Sequence, residues 1–163
     1  MRQRYETEED LARERLVAEA IVAAKGGTCH KVPNQYAEYC DYALAKHNRI
    51  ACYVEIKVRS MKWDPMNHVV LSCRKWHNGI SFATSTQLPW MLAIAVKEGI
   101  YGIMHRPDFK PPSYRQEFGG RVVTQRDNGD IEPVICIPTD DFTRITDAPQ
   151  GLFKTLPNNG QST

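Results

Sequence analysis

No apolar run in this 163-residue chain approaches the roughly 20 residues needed to span a bilayer. The opening MRQRYETEED lacks the apolar core of a secretion signal, so the expectation is a chain without a membrane partner. Cysteine is sparse and odd in number, with five residues at 29, 40, 52, 73 and 136, mostly inside apolar runs and never as CxxC. That usage argues against a disulfide framework or a cysteine zinc site and for buried thiols in a reducing compartment such as the cytoplasm. An excess of one charge is also lacking. Lys and Arg total 21 against 19 Asp and Glu, a net of +2, so any surface for a polyanion must be local. The histidines at 30, 47, 68, 77 and 105 show no ligand spacing, and Asp127, Asp130, Asp140 and Asp141 lack the acid pattern of a calcium loop. No internal repeat or low-complexity tract is present.

What is present centres on residues 41–59, DYALAKHNRIACYVEIKVR. Ile50, Cys52, Val54, Ile56 and Val58 fall on one face of an extended strand, with Tyr53, Glu55 and Lys57 on the other. Lys46-His47-Asn48-Arg49 reads as a hairpin loop. Centred near Asn48, that hairpin sets Asp41 across from Val54 and Glu55, within reach of a shared divalent ion. Neighbouring carboxylates repel unless a cation lies between them, and hard cations take carboxylate and carbonyl oxygens. Lys57, two residues from Glu55, then stands beside that ion. The contrary reading is a surface strand with solvated charges, but an apolar opposite face this continuous suits a central strand.

An acid followed on the next strand by acid-x-Lys resembles the PD-(D/E)XK nuclease superfamily, with Asp41 and Glu55-Ile56-Lys57 as its motif. The first position departs from the family name, because Tyr42 follows Cys40-Asp41 and no proline precedes the aspartate. A finer likeness, to small phage-encoded and Holliday-junction-resolvase-like members, rests on Lys75-Trp76 after the EIK strand and on Leu88-Pro89 opening the next. The resemblance implies an α/β (α+β) fold with a mixed sheet and a restriction-endonuclease-like αβββαβ core. It implies a magnesium site, with manganese as a substitute, formed by Asp41, Glu55, the Ile56 carbonyl and an acid from the preceding helix. Lys57 would act beside the metal. The implied activity is phosphodiester hydrolysis leaving a 5′-phosphate, on a nucleic-acid partner, DNA before RNA, by an enzyme acting in a host cytoplasm, with a homodimer as one assembly. The alternative is a nucleic-acid-binding or assembly module that keeps the fold without cleaving.

The remaining residues fit that frame. Thr7 caps an acidic first turn and Gly26-Gly27 supply a stop, predicting a helix between them. On its wheel Leu11, Val17, Ile21 and Val22 form one arc with Glu14 near the middle, where a carboxylate is costly unless compensated. Glu14 is therefore the expected helix acid, with Glu19 in reserve. Strands are predicted over 28–32, 36–44 and 50–58, then a helix over 72–86 and strands over 89–96 and 100–105. Arg59, Lys62, Trp63, Arg74 and Lys75 gather charge and an aromatic beside the motif and are the expected nucleic-acid contacts, with Lys75 the weaker of these. Trp76 reads as core, because Cys73, Trp76, Ile80 and Ala83 recur at helical spacing. Residues 1–106 form the expected core and 107–154 a β extension of the same domain, with a hairpin of strands 120–125 and 131–137 around a 127–130 turn. Residues 155–163 read as a disordered tail.

Overall fold

A computed structural model describes residues 6–64, 67–120 and 131–154. The chain runs α1 (Glu8–Lys25), β1 (Thr28–Lys31), β2 (Tyr42–Lys46), β3 (Arg49–Val58), β4 (His68–Ser72), α2 (Cys73–Thr86), β5 (Trp90–Val96), β6 (Gly99–His105), β7 (Arg115–Gly120), β8 (Ile131–Pro138) and β9 (Thr143–Thr146). Six strands form a mixed sheet in the order β1-β2-β3-β5-β6-β9, and β4-β8-β7 form a second sheet. All neighbours are antiparallel except β3 and β5. Two parallel strands cannot be joined by a tight turn, and β4 with α2 supplies the crossover between them. This is the α+β restriction-endonuclease-like architecture the sequence implied. No helix among the described residues is long and apolar enough to cross a membrane.

The main sheet has a core on each face. Val17, Ala18 and Ile21 of α1 pack on Tyr42, Cys52, Val54, Ile56, Met91 and Ala93. On the other face, Trp76 and Ala83 of α2 and Ile135 and Ile137 of β8 pack with Trp90, Leu92 and Ile94. The alternation in β3 is thus the division between two cores. β5, wholly buried, reads as a continuous apolar run because both of its faces are covered. Helix α1 begins with a capping box, in which Thr7 Oγ1 accepts from Asp10 N and Asp10 Oδ2 accepts from Thr7 N, each at 3.1 Å. It stops at Gly26, and the following Gly27 has φ +95° and lies so close to β2 that a Cβ would meet the Ala45 carbonyl oxygen at 2.3 Å. Only glycine meets both requirements there.

Several boundaries differ from the sequence reading. Residues 36–40 are not strand: a short 3-10 helix, Asn34–Tyr36, leads through a turn to β2 at Tyr42. The rings explain this, because Tyr39 stacks on Phe82 of α2 at 4.9 Å between centroids and the Trp90 indole N–H donates to the Tyr39 carbonyl oxygen at 2.8 Å. β4 and β9 are additional strands, and β9 extends the sheet at its β6 edge. Of the expected hairpin, the returning strand is present as β8, and its described partner is Arg115–Gly120. The expected strand beyond Gly120, the 127–130 turn and the tail from 155 lie outside the described residues. Leu11, assigned to the buried arc of α1, is exposed.

Candidate active site

The hairpin turn sets the site's register. His47 and Asn48 both adopt left-handed backbone, at φ 51° and 61°, the geometry of a two-residue turn whose twist matches paired strands. The pairing then puts Tyr42 opposite Val54, and Asp41 continues it, donating its amide to Val54 O at 2.8 Å and accepting from the Ile56 amide through Oδ2 at 2.8 Å. A strand residue's N–H and C=O project to the same edge, so the Ile56 carbonyl lies on the Asp41 side of β3. Asp41 and Glu55 are both buried, at 2% and 1% relative exposure.

Glu14 is three, four and seven residues before the buried Val17, Ala18 and Ile21, so the apolar stripe of α1 carries it onto the sheet next to Asp41. Donor oxygens of Glu6, Glu14 and Asp41 all lie within 4.8 Å of one another. Glu6, which the sequence reading passed over, precedes the helix cap and has no apolar periodicity to mark it. Glu19, the reserve acid, is instead held at the surface by Arg15 at 3.1 Å. Glu55 stands outside that trio, with Oε1 2.8 Å from Lys57 Nζ and 3.2 Å from Lys75 Nζ. Lys75 also donates to Glu55 Oε2 at 3.4 Å and to the Ala37 carbonyl at 3.0 Å. The buried Oε1 is thus charge-paired with two ammonium groups.

The electrostatics follow from this crowding. Burial, then the charges of Glu55 and Glu14, push Asp41 up to about 7. Glu14 is raised as well, by burial above all, although Lys31 opposes the shift. For Lys57 burial pulls downward, yet the combined pull of Glu55 and Asp41 prevails and its pKa is raised, so it remains an ammonium at neutral pH. A cluster of carboxylate oxygens with its negative charge incompletely compensated fits a hard divalent cation.

Glu6, Lys31 and Lys57 line a wide, open cleft together with Arg59, Arg74 and Lys75, the last three being three of the five expected nucleic-acid contacts. Asp41 and Glu55, buried, and Glu14, largely buried, lie behind the lysines that pair with them. Lys62 is exposed and is not part of the cleft lining. Trp63 requires correction, because it is 9% exposed and its ring is stacked on Tyr101 at 4.0 Å with Phe142 edge-on. No face of it is open to a base. Lys75 is correspondingly more central than expected. Trp76 is core, as predicted. A second group, His68, Glu117 and Cys136, brings donor atoms within 4.8 Å on the small sheet. None of the three lines the cleft, and Arg115 Nε stands 3.6 Å from Glu117.

No curated protein matches the chain. A family model described as "Phage putative PDDEXK endonuclease" matches residues 1–145, and the chain belongs to that family.

Proposed function

We propose that this member of the phage PDDEXK endonuclease family is a magnesium-dependent endonuclease that hydrolyses phosphodiester bonds in DNA. The observation that carries the reading is the convergence of Glu14 and Asp41 with the Glu55-Ile56-Lys57 strand, beside a cleft that Lys57, Arg59, Arg74 and Lys75 line. Asp41 and Glu14, with Glu55 and the Ile56 carbonyl beside them, would hold the cation. Bound there, magnesium or manganese supplies positive charge to a phosphate oxygen and lowers the pKa of a water.

The chain's own groups account for the rest. Asp41 makes three hydrogen bonds with the main chain, one of them from the Ile56 amide to its carboxylate, so that carboxylate is oriented before any ligand arrives, which spares reorganisation during reaction. Lys57 acts as a permanent cation rather than a base, because its neighbours raise its pKa. It would stabilise the negative charge that builds on the phosphoryl oxygens. Glu55 positions both Lys57 and Lys75. Arg59 and Arg74, along the cleft, would engage flanking phosphates, a contact that supplies affinity and register without sequence information.

The test is incubation with single-stranded, duplex and branched DNA, and with RNA of the same sequences, in magnesium or in EDTA. The expected result is cleavage of at least one DNA form to 5′-phosphate ends, absent in EDTA and in Glu55→Gln. Binding without cleavage of any form would favour the non-cleaving module instead.

A further inference from the structure

Lys31 has no place in the acid-x-Lys pattern, yet its ammonium sits against the two acids that crowd each other. Nζ is 2.9 Å from Glu14 Oε2 and 3.9 Å from Asp41 Oδ1, and it lies 5.2 Å from the centre of the Tyr42 ring. The side chains of Glu14 and Asp41 are 12% and 3% exposed and that of Lys31 is 34%, so Lys31 covers two buried carboxylates from the cleft side. Its backbone belongs to β1, the edge strand, paired opposite Tyr42. Lys57 and Lys75, by contrast, both serve Glu55. Lys31 is thus a cation in ion-pair contact with both Glu14 and Asp41, on the side of them that faces the cleft.

We propose that Lys31 is a two-position residue coupling cation binding to phosphodiester binding. It closes over Glu14 and Asp41 as the resident counter-charge of the metal-free protein, and it turns into the cleft to meet a backbone phosphate when a divalent cation takes those oxygens. This rests on the reading of the cleft as a metal-dependent nuclease site. The ammonium and the cation compete for the same oxygens. An ammonium and a divalent ion repel each other at that spacing, and the ion carries twice the charge. The lysine's four-carbon stem and compact charge allow it to relocate without moving β1. Its destination is the cleft itself, which Lys31 lines together with Arg59 and Arg74. If the cation releases Lys31 for a phosphate, DNA must tighten the cation by the same factor as the cation tightens DNA.

The experiment titrates calcium into wild type, Lys31→Met, Lys31→Gln and Lys31→Arg by calorimetry, then measures binding of each to duplex DNA with and without calcium. Removing a competing, partly buried ion pair should tighten calcium roughly threefold or more in Lys31→Met and Lys31→Gln. Lys31→Arg, which keeps the charge, should match wild type. Calcium should enhance DNA binding more in wild type than in Lys31→Met. Calcium affinity unchanged or weakened in both neutral variants, or equal enhancement of DNA binding, would overturn the coupling while leaving the metal reading in place. Calcium binding to none of the four proteins would remove the metal reading, and the coupling with it.

Discussion

The amide of Ile56 donates to Asp41 Oδ2 over 2.8 Å, so the carboxylate on one side of the hairpin is held by the main chain of the other. The bond survives replacement of the carboxylate by a carboxamide, whose oxygen still accepts. Asp41→Asn should therefore fold, while Asp41→Ala leaves a buried amide without its partner and should lose about 1–3 kcal/mol. Chemical denaturation of the two variants in EDTA checks the difference.

The same residue fixes a pH dependence. Burial and neighbouring acids raise Asp41 to about 7 in the folded protein, above its ordinary 3.8, so the folded state binds more protons than the unfolded one between these values. Its contribution to metal-free stability is fully present below about 4 and is lost as the pH rises through about 7. Glu14, raised for similar reasons, adds to the same trend. Melting temperature in EDTA should fall from pH 4 to 7 more steeply in wild type than in Asp41→Asn; parallel curves would show that Asp41 is not the titrating group.

Glu55 is less exposed than a catalytic side chain on a wet strand face would be. Glu55→Ala would strand Lys57 and Lys75 beside a cavity and should destabilise the protein by about 1–3 kcal/mol as well as abolish cleavage. Lys57→Met, which removes a side chain that is 26% exposed, should abolish cleavage with a smaller loss of stability. Parallel melting and cleavage measurements on the two variants separate the effects.

The support for the site extends to α2. A Cβ at Gly79 would meet the Trp90 ring at 2.2 Å, and that indole holds the Tyr39 carbonyl just ahead of Asp41. Gly79→Ala should cost about 1–3 kcal/mol through overpacking and also reduce cleavage, although residue 79 does not line the cleft. An unchanged melting temperature would contradict this.

How much of this could be read from the residues depended on whether a local pattern carried it. Asp41, Glu55 and Lys57 were legible because strand alternation and a two-residue turn fix register, and Glu14 because an acid on an apolar helical stripe needs compensation. Glu6 and Lys31 were not legible, since neither lies on a periodic pattern and only the tertiary fold brings them to Asp41. Lys75 was visible only as charge, because its reach to Glu55 depends on how α2 packs. Trp63 was misjudged because basic neighbours say nothing about whether an indole faces solvent or Tyr101. The stretch 36–40 carries no local signal for leaving the strand, because what holds it as a turn is the packing of Tyr36 and Tyr39 on Phe82 of α2.

The most direct test of the account is thermal melting of wild type and Asp41→Asn across a manganese titration. A ligand that binds only the folded state adds roughly 2.7 kcal/mol at a hundredfold excess over Kd, so the wild-type melting temperature should climb with manganese. The climb should be blunted in Asp41→Asn, which also starts from a more stable metal-free state at neutral pH. Equal manganese-induced shifts in the two proteins would mean that Asp41 is not a ligand and would contradict the metal site on which the proposed activity depends.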